Sequence, residues 1–133
     1  MANQAAAQRV SGAVEGNNPE GEELAVAAAR AGLEKKAEDV SILDVRGLAS
    51  YTDFLVLLSA ASDRQVSAVA DAVDDRLREA GHRPIGVEGA QAGNWVLIDA
   101  GDVVVHVFRD ESRKFYDLDS LWSDARRVTV PPG

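Results

Sequence analysis

The sequence predicts an α/β fold: about five strands in a mixed sheet, flanked by helices. Three observations predict it. A long amphipathic helix follows Ser62, with apolar residues recurring at helical spacing. Two runs, 54–58 and 103–108, are apolar on both faces, as strands in the middle of a sheet are. Strand, long helix and return strand follow one another, which is the pattern of helices packed on a sheet.

Composition sets the outer bounds. With 133 residues, 46% of them hydrophobic, the chain can build one domain with its own core. Cysteine is absent, which excludes disulfides, thiolate nucleophiles and Cys-based zinc sites, and an intracellular protein is the simplest reading. No apolar run approaches the roughly 20 residues that span a bilayer, so no membrane association is expected. Net charge is −8, from 22 acidic and 14 basic residues. That charge raises the free energy of approaching a phosphate backbone, so direct nucleic-acid binding is not expected. A basic protein is the better-matched partner, although solubility alone also accounts for such a surface.

Residues 1–18 are rich in Ala, Gln, Gly, Asn and Ser without periodicity, and read as a disordered tail. The stretch has no apolar signal-peptide core, a single Arg and already a Glu15, so neither a secretory signal nor an organellar presequence is read there. The bacterial cytoplasm is the expected compartment. The folded domain is expected over 19–128, with 129–133 as a Pro-terminated tail. A first helix starts at Pro19 with Asn18 as cap, acidic residues near its start and Lys35 and Lys36 near its end. Leu24, Ala27, Ala28 and Ala31 supply its apolar face, and Gly32 weakens the last turn. Strands follow at 40–45 and 53–59. Ser62 and Gln65 fit a capping box, Val66, Val69, Ala70, Val73 and Leu77 form a stripe, and Gly81 with Pro84 stops the helix. A return strand near 85–88 completes a βα unit, then strands at 95–98 and 103–108 form a hairpin around Asp99-Ala100-Gly101-Asp102. The segment 115–122 suits a short helix or turn.

Catalytic chemistry is hard to find. Ser59 and Ser62 lack a Gly-x-Ser-x-Gly elbow, and no Gly-x-Gly-x-x-Gly or Gly-Lys-Ser/Thr loop is present. Gly89 and Gly93 flank a loop better read as a turn than a phosphate cradle. His82 and His106 have no second His at ligand spacing, so no metal or other cofactor is expected. Asp117-x-Asp119 has the spacing of a magnesium-binding pair, but it lies beside Leu121 and Trp122 in a predicted helical turn, without a Gly-Ser loop before it.

The aromatic residues offer more. If Ala100-Gly101 is a two-residue loop, Trp95 faces His106, Leu97 faces Val104 and Asp99 faces Asp102 on one side of the ribbon. A four-residue loop with a bulge would change that pairing. Periodicity alone favours a Trp–His pair covered by the terminal helix, with Trp122 as its lid, over an open contact surface.

The stretch from Gly93 to Phe108, read Gly-Asn-Trp-Val-Leu-Ile-Asp-Ala-Gly-Asp-Val-Val-Val-His-Val-Phe, resembles the signature of the Iojap, or ribosomal silencing factor, family. In register with it stand Lys35-Lys36-Ala37-Glu38-Asp39, Leu43-Asp44-Val45-Arg46-Gly47-Leu48, Asp53-Phe54, Ser62-x-Arg64-Gln65-Val66, Glu88-Gly89 and Tyr116-Asp117-Leu118-x-x-Leu121-Trp122. The resemblance covers residues 23–128. It implies a nucleotidyltransferase-like fold without catalytic carboxylates, and a translational repressor rather than an enzyme. It also implies binding to the large ribosomal subunit through ribosomal protein L-fourteen, a block on joining with the small subunit when nutrients are scarce, and a homodimer when free. By the same resemblance Trp95, Asp99, Asp102, His106, Tyr116 and Trp122 become candidates for the contact surface, since Trp and Tyr anchor interfaces and carboxylates can meet Lys or Arg. A degenerate nucleotide-handling enzyme and a general RNA-binding module are the competing readings; the missing phosphate loop and the acidic charge weigh against them.

Overall fold

A computed structural model describes residues 17–89 and 94–131. Most of the expected tail (1–16) and Gly93 therefore lie outside the described residues. Helix α1 (Pro19–Glu34) opens as its local chemistry dictates: Asn18 Oδ1 accepts from the Gly21 amide at 3.0 Å, and Pro19 takes a position where no amide is needed. Its buried face includes Leu24, Ala25, Ala28, Ala29 and Ala31, so Ala25 and Ala29 are buried where Ala27 was expected. A broad row of alanines lets the helix lie flat in the angle between the sheet and the second helix. Gly32, costly to a helix, has its reason here: a Cβ would sit 2.9 Å from Leu58 Cδ1, so the glycine admits close packing on the sheet.

The remaining elements are β1 (Glu38–Asp44), β2 (Phe54–Ala60), α2 (Asp63–Glu79), β3 (Gly86–Glu88), β4 (Trp95–Asp99), β5 (Val103–Arg109), α3 (Asp110–Tyr116), α4 (Leu118–Leu121) and β6 (Arg126–Val128). They form a six-stranded mixed sheet in the order β3-β4-β5-β2-β1-β6. The extra strand is β6, whose three residues, Arg126, Arg127 and Val128, are too short and too charged to register as a periodic run; β1 supplies its partner. The parallel pair is β2 with β5. β3 is not the return strand beside β2 that the linear pattern implied: it sits at the far edge, antiparallel to β4. Three residues, mostly exposed, cannot compete for the central position with the seven-residue β5, which buries all but Arg109.

Every residue of β2 is buried, and all of β5 except Arg109, because helices or aromatic side chains cover both faces. One face carries Phe54, Val56, Leu58, Val103, Val105 and Val107 against α1 and α2. Val66, Val69, Ala70, Val73 and Leu77 of α2 are all buried there. Full burial of a Val or Leu stabilises by roughly 1.5–3 kcal/mol, so this stripe, more than helix propensity, holds α2 in place.

The caps tie neighbouring elements together. Ser62 Oγ accepts from the Gln65 amide at 3.1 Å, but Gln65 Oε1 reaches back to the Ala61 amide (2.7 Å) rather than to Ser62. The physical reason is the other end of the carboxamide: Gln65 Nε2 donates to the carbonyls of Lys35 and Lys36, at 3.2 and 2.9 Å, and so fastens the end of α1 to the start of α2. At the far end of α2 the amides of Gly81 and His82 close on Arg78 and Leu77, at 3.0 and 2.8 Å, with Gly81 at φ +84°.

Candidate protein-interaction surface

The second face of the sheet is where the predicted residues meet. Its buried centre is Leu43, Val45, Leu55, Leu57, Val104 and Phe108, with Trp95, Leu97, Leu118 and Trp122 partly buried around it. Period-two alternation puts Trp95, Leu97, His106 and Phe108 on this side together.

The hairpin register differs from the expected one by two residues. Trp95 pairs with Phe108, Leu97 with His106 and Asp99 with Val104. The turn is Gly101-Asp102, closed by the Ala100 amide donating to the Val103 carbonyl at 2.9 Å. Gly101 takes φ +87°, which a residue with a side chain rarely adopts. A shift of two leaves each side chain on its expected face, so Trp95 and His106 are diagonal neighbours instead of opposite ones. They still bond: the indole Nε1–H donates to His106 Nδ1 at 3.0 Å.

Three further rings complete the group around Trp95. Phe108 stacks at 5.1 Å between centroids, and Tyr116, at the end of α3, lies at 4.4 Å. Phe115 meets Tyr116 edge-on at 5.0 Å. His106 is 5% exposed, and its burial pulls the imidazole pKa down to about 4. An indole nitrogen can only donate, so Nδ1 carries no proton and His106 is neutral at pH 7. His106 reaches the surface only through the ring it holds. Tyr116 is 48% exposed, Phe115 80% and Leu121 68%, a large apolar display for two short helices.

What holds α3 and α4 in position is Arg113, a residue that no sequence pattern singled out. Nine per cent exposed, it sends Nε and Nη2 to the two oxygens of Asp119, at 3.0 and 3.1 Å, and Nη1 to Ser59 Oγ at 2.9 Å. This guanidinium bridges α3, α4 and central strand β2. The pairing holds the Asp119 carboxyl below the usual carboxylate range, through the hydrogen bonds from Arg113 more than any other cause. Asp119 is thus an ion-pair partner, and Asp117 is the left-handed hinge (φ +50°) between the helices. The two do not form a carboxylate pair on a strand. A hollow of about 400 Å³ beside them is lined by Asp39, Ser41, Arg113, Lys114, Asp117 and Asp119, among others, with its deepest cation already paired.

The two hairpin carboxylates lie apart from the rings. β4 rises about 3.3 Å per residue, which places Asp99 roughly 13 Å along the strand from Trp95. Asp99 Oδ1 accepts from the Gly101 amide at 2.9 Å, an Asx turn that shapes the hairpin. Asp102 is exposed, and its Oδ2 accepts from Asn18 Nδ2 at 3.2 Å. Trp122 packs against the same face as Trp95, but no direct ring contact joins the two among the described residues. The six predicted residues therefore divide: Trp95, His106 and Tyr116 form one cluster, Trp122 a second patch on that face, and Asp99 and Asp102 the turn. Sequence reasoning missed Phe108, Phe115, Leu121 and Arg113. Phe115 and Leu121 could have been found as apolar residues that a short polar helix has no core to cover.

Among the described residues no group of three or more His, Asp or Glu is placed to hold a metal ion, and no helix is long and apolar enough to cross a membrane. Gly89 has a structural reason: at φ +83°, a Cβ there would run into the Trp95 carbonyl oxygen.

Comparison with known proteins places these features in a lineage. The family model described as ribosomal silencing factor during starvation matches residues 18–132. The ribosomal silencing factor RsfS of Bacillus subtilis is 42% identical over 98 residues, covering 74% of this chain and 83% of that protein. A mouse protein named mitochondrial assembly of ribosomal large subunit protein 1 is 28% identical over 93 residues, covering 68% of this chain and 41% of its own length. An X-ray crystal structure from Chromobacterium violaceum matches with a TM-score of 0.75 at 38% identity, over 84% of this chain and 92% of that one.

Proposed function

Because the chain belongs to the ribosomal silencing factor family, we propose that it represses translation by binding the large ribosomal subunit and obstructing its joining with the small one. The observation that carries the reading is the aromatic face. Trp95 packs against Phe108 and bonds to His106, Tyr116 lies on Trp95 with Phe115 edge-on to it, and Phe115 and Leu121 are exposed on the two short helices. Rigid aromatic side chains lose little entropy on binding, which suits them to anchor an interface. The acidic balance of the chain, −8, favours a basic partner, and the name of the mouse relative supports the large subunit as the place to look. The partner surface is ribosomal protein L-fourteen, contacted by Trp95, Tyr116 and Trp122 as apolar anchors and by Asp99 and Asp102 at the rim, with His106 fixing the indole. No cofactor, catalytic step or sequence-specific nucleic-acid contact is part of the mechanism. The free protein is a homodimer in the bacterial cytoplasm.

Sedimentation with separated ribosomal subunits tests the reading. Co-migration with the large subunit, and loss of that co-migration from joined ribosomes, is expected. Equal binding to both subunits, or to neither, would refute it.

A further inference from the structure

The cap of α1 and the hairpin turn are far apart in sequence yet share one side chain. Asn18 Oδ1 accepts from the Gly21 amide at 3.0 Å, while its Nδ2 donates to Asp53 Oδ2 at 2.7 Å and to Asp102 Oδ2 at 3.2 Å. Both carboxylate oxygens lie within reach of one nitrogen, so they are no more than about 6 Å from each other. Two like charges that close repel, and a neutral amide between them offsets part of the repulsion and fixes their directions. The same turn is fastened from below, where Thr52 Oγ1 donates to the Gly101 carbonyl at 2.9 Å and the Asp53 and Phe54 amides donate to the Asp102 carbonyl at 3.1 and 3.0 Å. The backbone of Asp102 is therefore fastened to the start of β2, and its side chain accepts a hydrogen bond from Asn18. Among the described residues Asp102 Oδ1 accepts no hydrogen bond, which leaves one oxygen open on an exposed turn.

We infer that Asn18 is a positioning residue for the partner contact. Its carboxamide holds Asp102 so that the open oxygen faces outward, toward a Lys or Arg of the bound protein. The inference rests on the reading of Asp102 as a contact and extends it, because it makes the start of α1 part of the recognition apparatus. Preorganisation is the physical gain: a carboxylate already aimed loses less side-chain freedom when the cation arrives.

Asn18→Ser separates the two duties of the residue. A serine hydroxyl caps a helix as well as asparagine does, but it is too short to reach Asp53 and Asp102. Affinity for purified large subunits is measured for the full-length chain, Asn18→Ser, Asp102→Asn and the double variant, with a thermal melt of each. The expected result is a melt lowered only slightly for Asn18→Ser, since the cap survives and only the bridging amide is lost, and a loss of about fivefold in affinity. That loss should vanish when Asp102 is already Asn. A helix-capping role alone would not show this dependence. Wild-type affinity for Asn18→Ser while Asp102→Asn binds weakly would overturn the positioning role and leave the contact standing. An equal loss in both backgrounds would place the effect of Asn18 elsewhere and overturn it too. Wild-type affinity for Asp102→Asn would remove the contact, and the positioning role with it.

Discussion

The indole Nε1 of Trp95 donates to Nδ1 of His106 across 3.0 Å, although the two residues are diagonal rather than opposite in the β4–β5 ladder. The bond requires a neutral imidazole, and burial supplies one, with a pKa of about 4 against an ordinary value of 6.5. In the unfolded chain His106 takes up its proton near pH 6.5, while the fold resists protonation until about pH 4. The associated stability is fully present above pH 6.5 and is lost as pH falls toward 4, by up to about 3 kcal/mol. Melting temperature should fall across that window in the wild type and fall less steeply in His106→Gln. Parallel profiles would mean that the titration lies elsewhere.

Tyr116 separates contact from packing better than Trp95 does. Half exposed at the end of α3, it packs on Trp95 and Phe115 and is otherwise open to solvent. Tyr116→Ala should weaken binding to large subunits by about 2 kcal/mol or more, the scale of an aromatic anchor. The melt should move by less than that. Trp95→Ala should lower both together, because it removes core contacts and abandons a buried His106 nitrogen. A large drop in stability for Tyr116→Ala with undiminished affinity would assign the tyrosine to the core.

Arg113 and Asp119 yield a prediction about stability. Asp119→Asn leaves a guanidinium 9% exposed without its counter-charge, and destabilisation of about 2 kcal/mol is expected, less than for a fully buried pair because Asp119 is partly open to solvent. The paired Asp119 carboxyl titrates below its ordinary value, so its contribution is present above pH 3.8 and is lost as pH falls below that. Denaturant titration near pH 7 measures the first effect. A neutral outcome would show that α3 and α4 hold the sheet without the ion pair.

The two hairpin carboxylates should respond differently to the same change. Asp99→Asn keeps an oxygen for the Gly101 amide and should melt like the wild type, whereas Asp99→Ala should lose about 1 kcal/mol. Asp102→Asn should leave the melt nearly unchanged and reduce affinity for the large subunit. Identical stability of Asp99→Asn and Asp99→Ala would contradict the turn-forming role.

Nucleotide chemistry can be tested directly. Calorimetry with ATP or GTP and magnesium should detect no specific binding, because Asp119 is committed to Arg113 and Asp117 is a backbone hinge. Micromolar binding would reopen the enzymatic reading.

Local chemistry was legible in the sequence by itself. The cap at Asn18, the stripe from Val66 to Leu77 and the buried strands 54–58 and 103–108 each rest on neighbours within a few residues, and each forms as read. The Trp95 face was legible for the same reason, since alternation along β4 and β5 survives a register shift of two. Pairings between distant segments were decided only by the tertiary structure. β5 lies parallel to β2 and β3 is left at the edge because burial across the whole sheet sets strand order, and no local window contains that sum. The turn fell on Gly101-Asp102 because Asp99, Thr52, Asp53 and Phe54 all bond to it, the last three from a segment some fifty residues earlier. Arg113 escaped sequence reading altogether: a lone arginine in a charged helix looks solvated until Ser59 and Asp119 are brought around it.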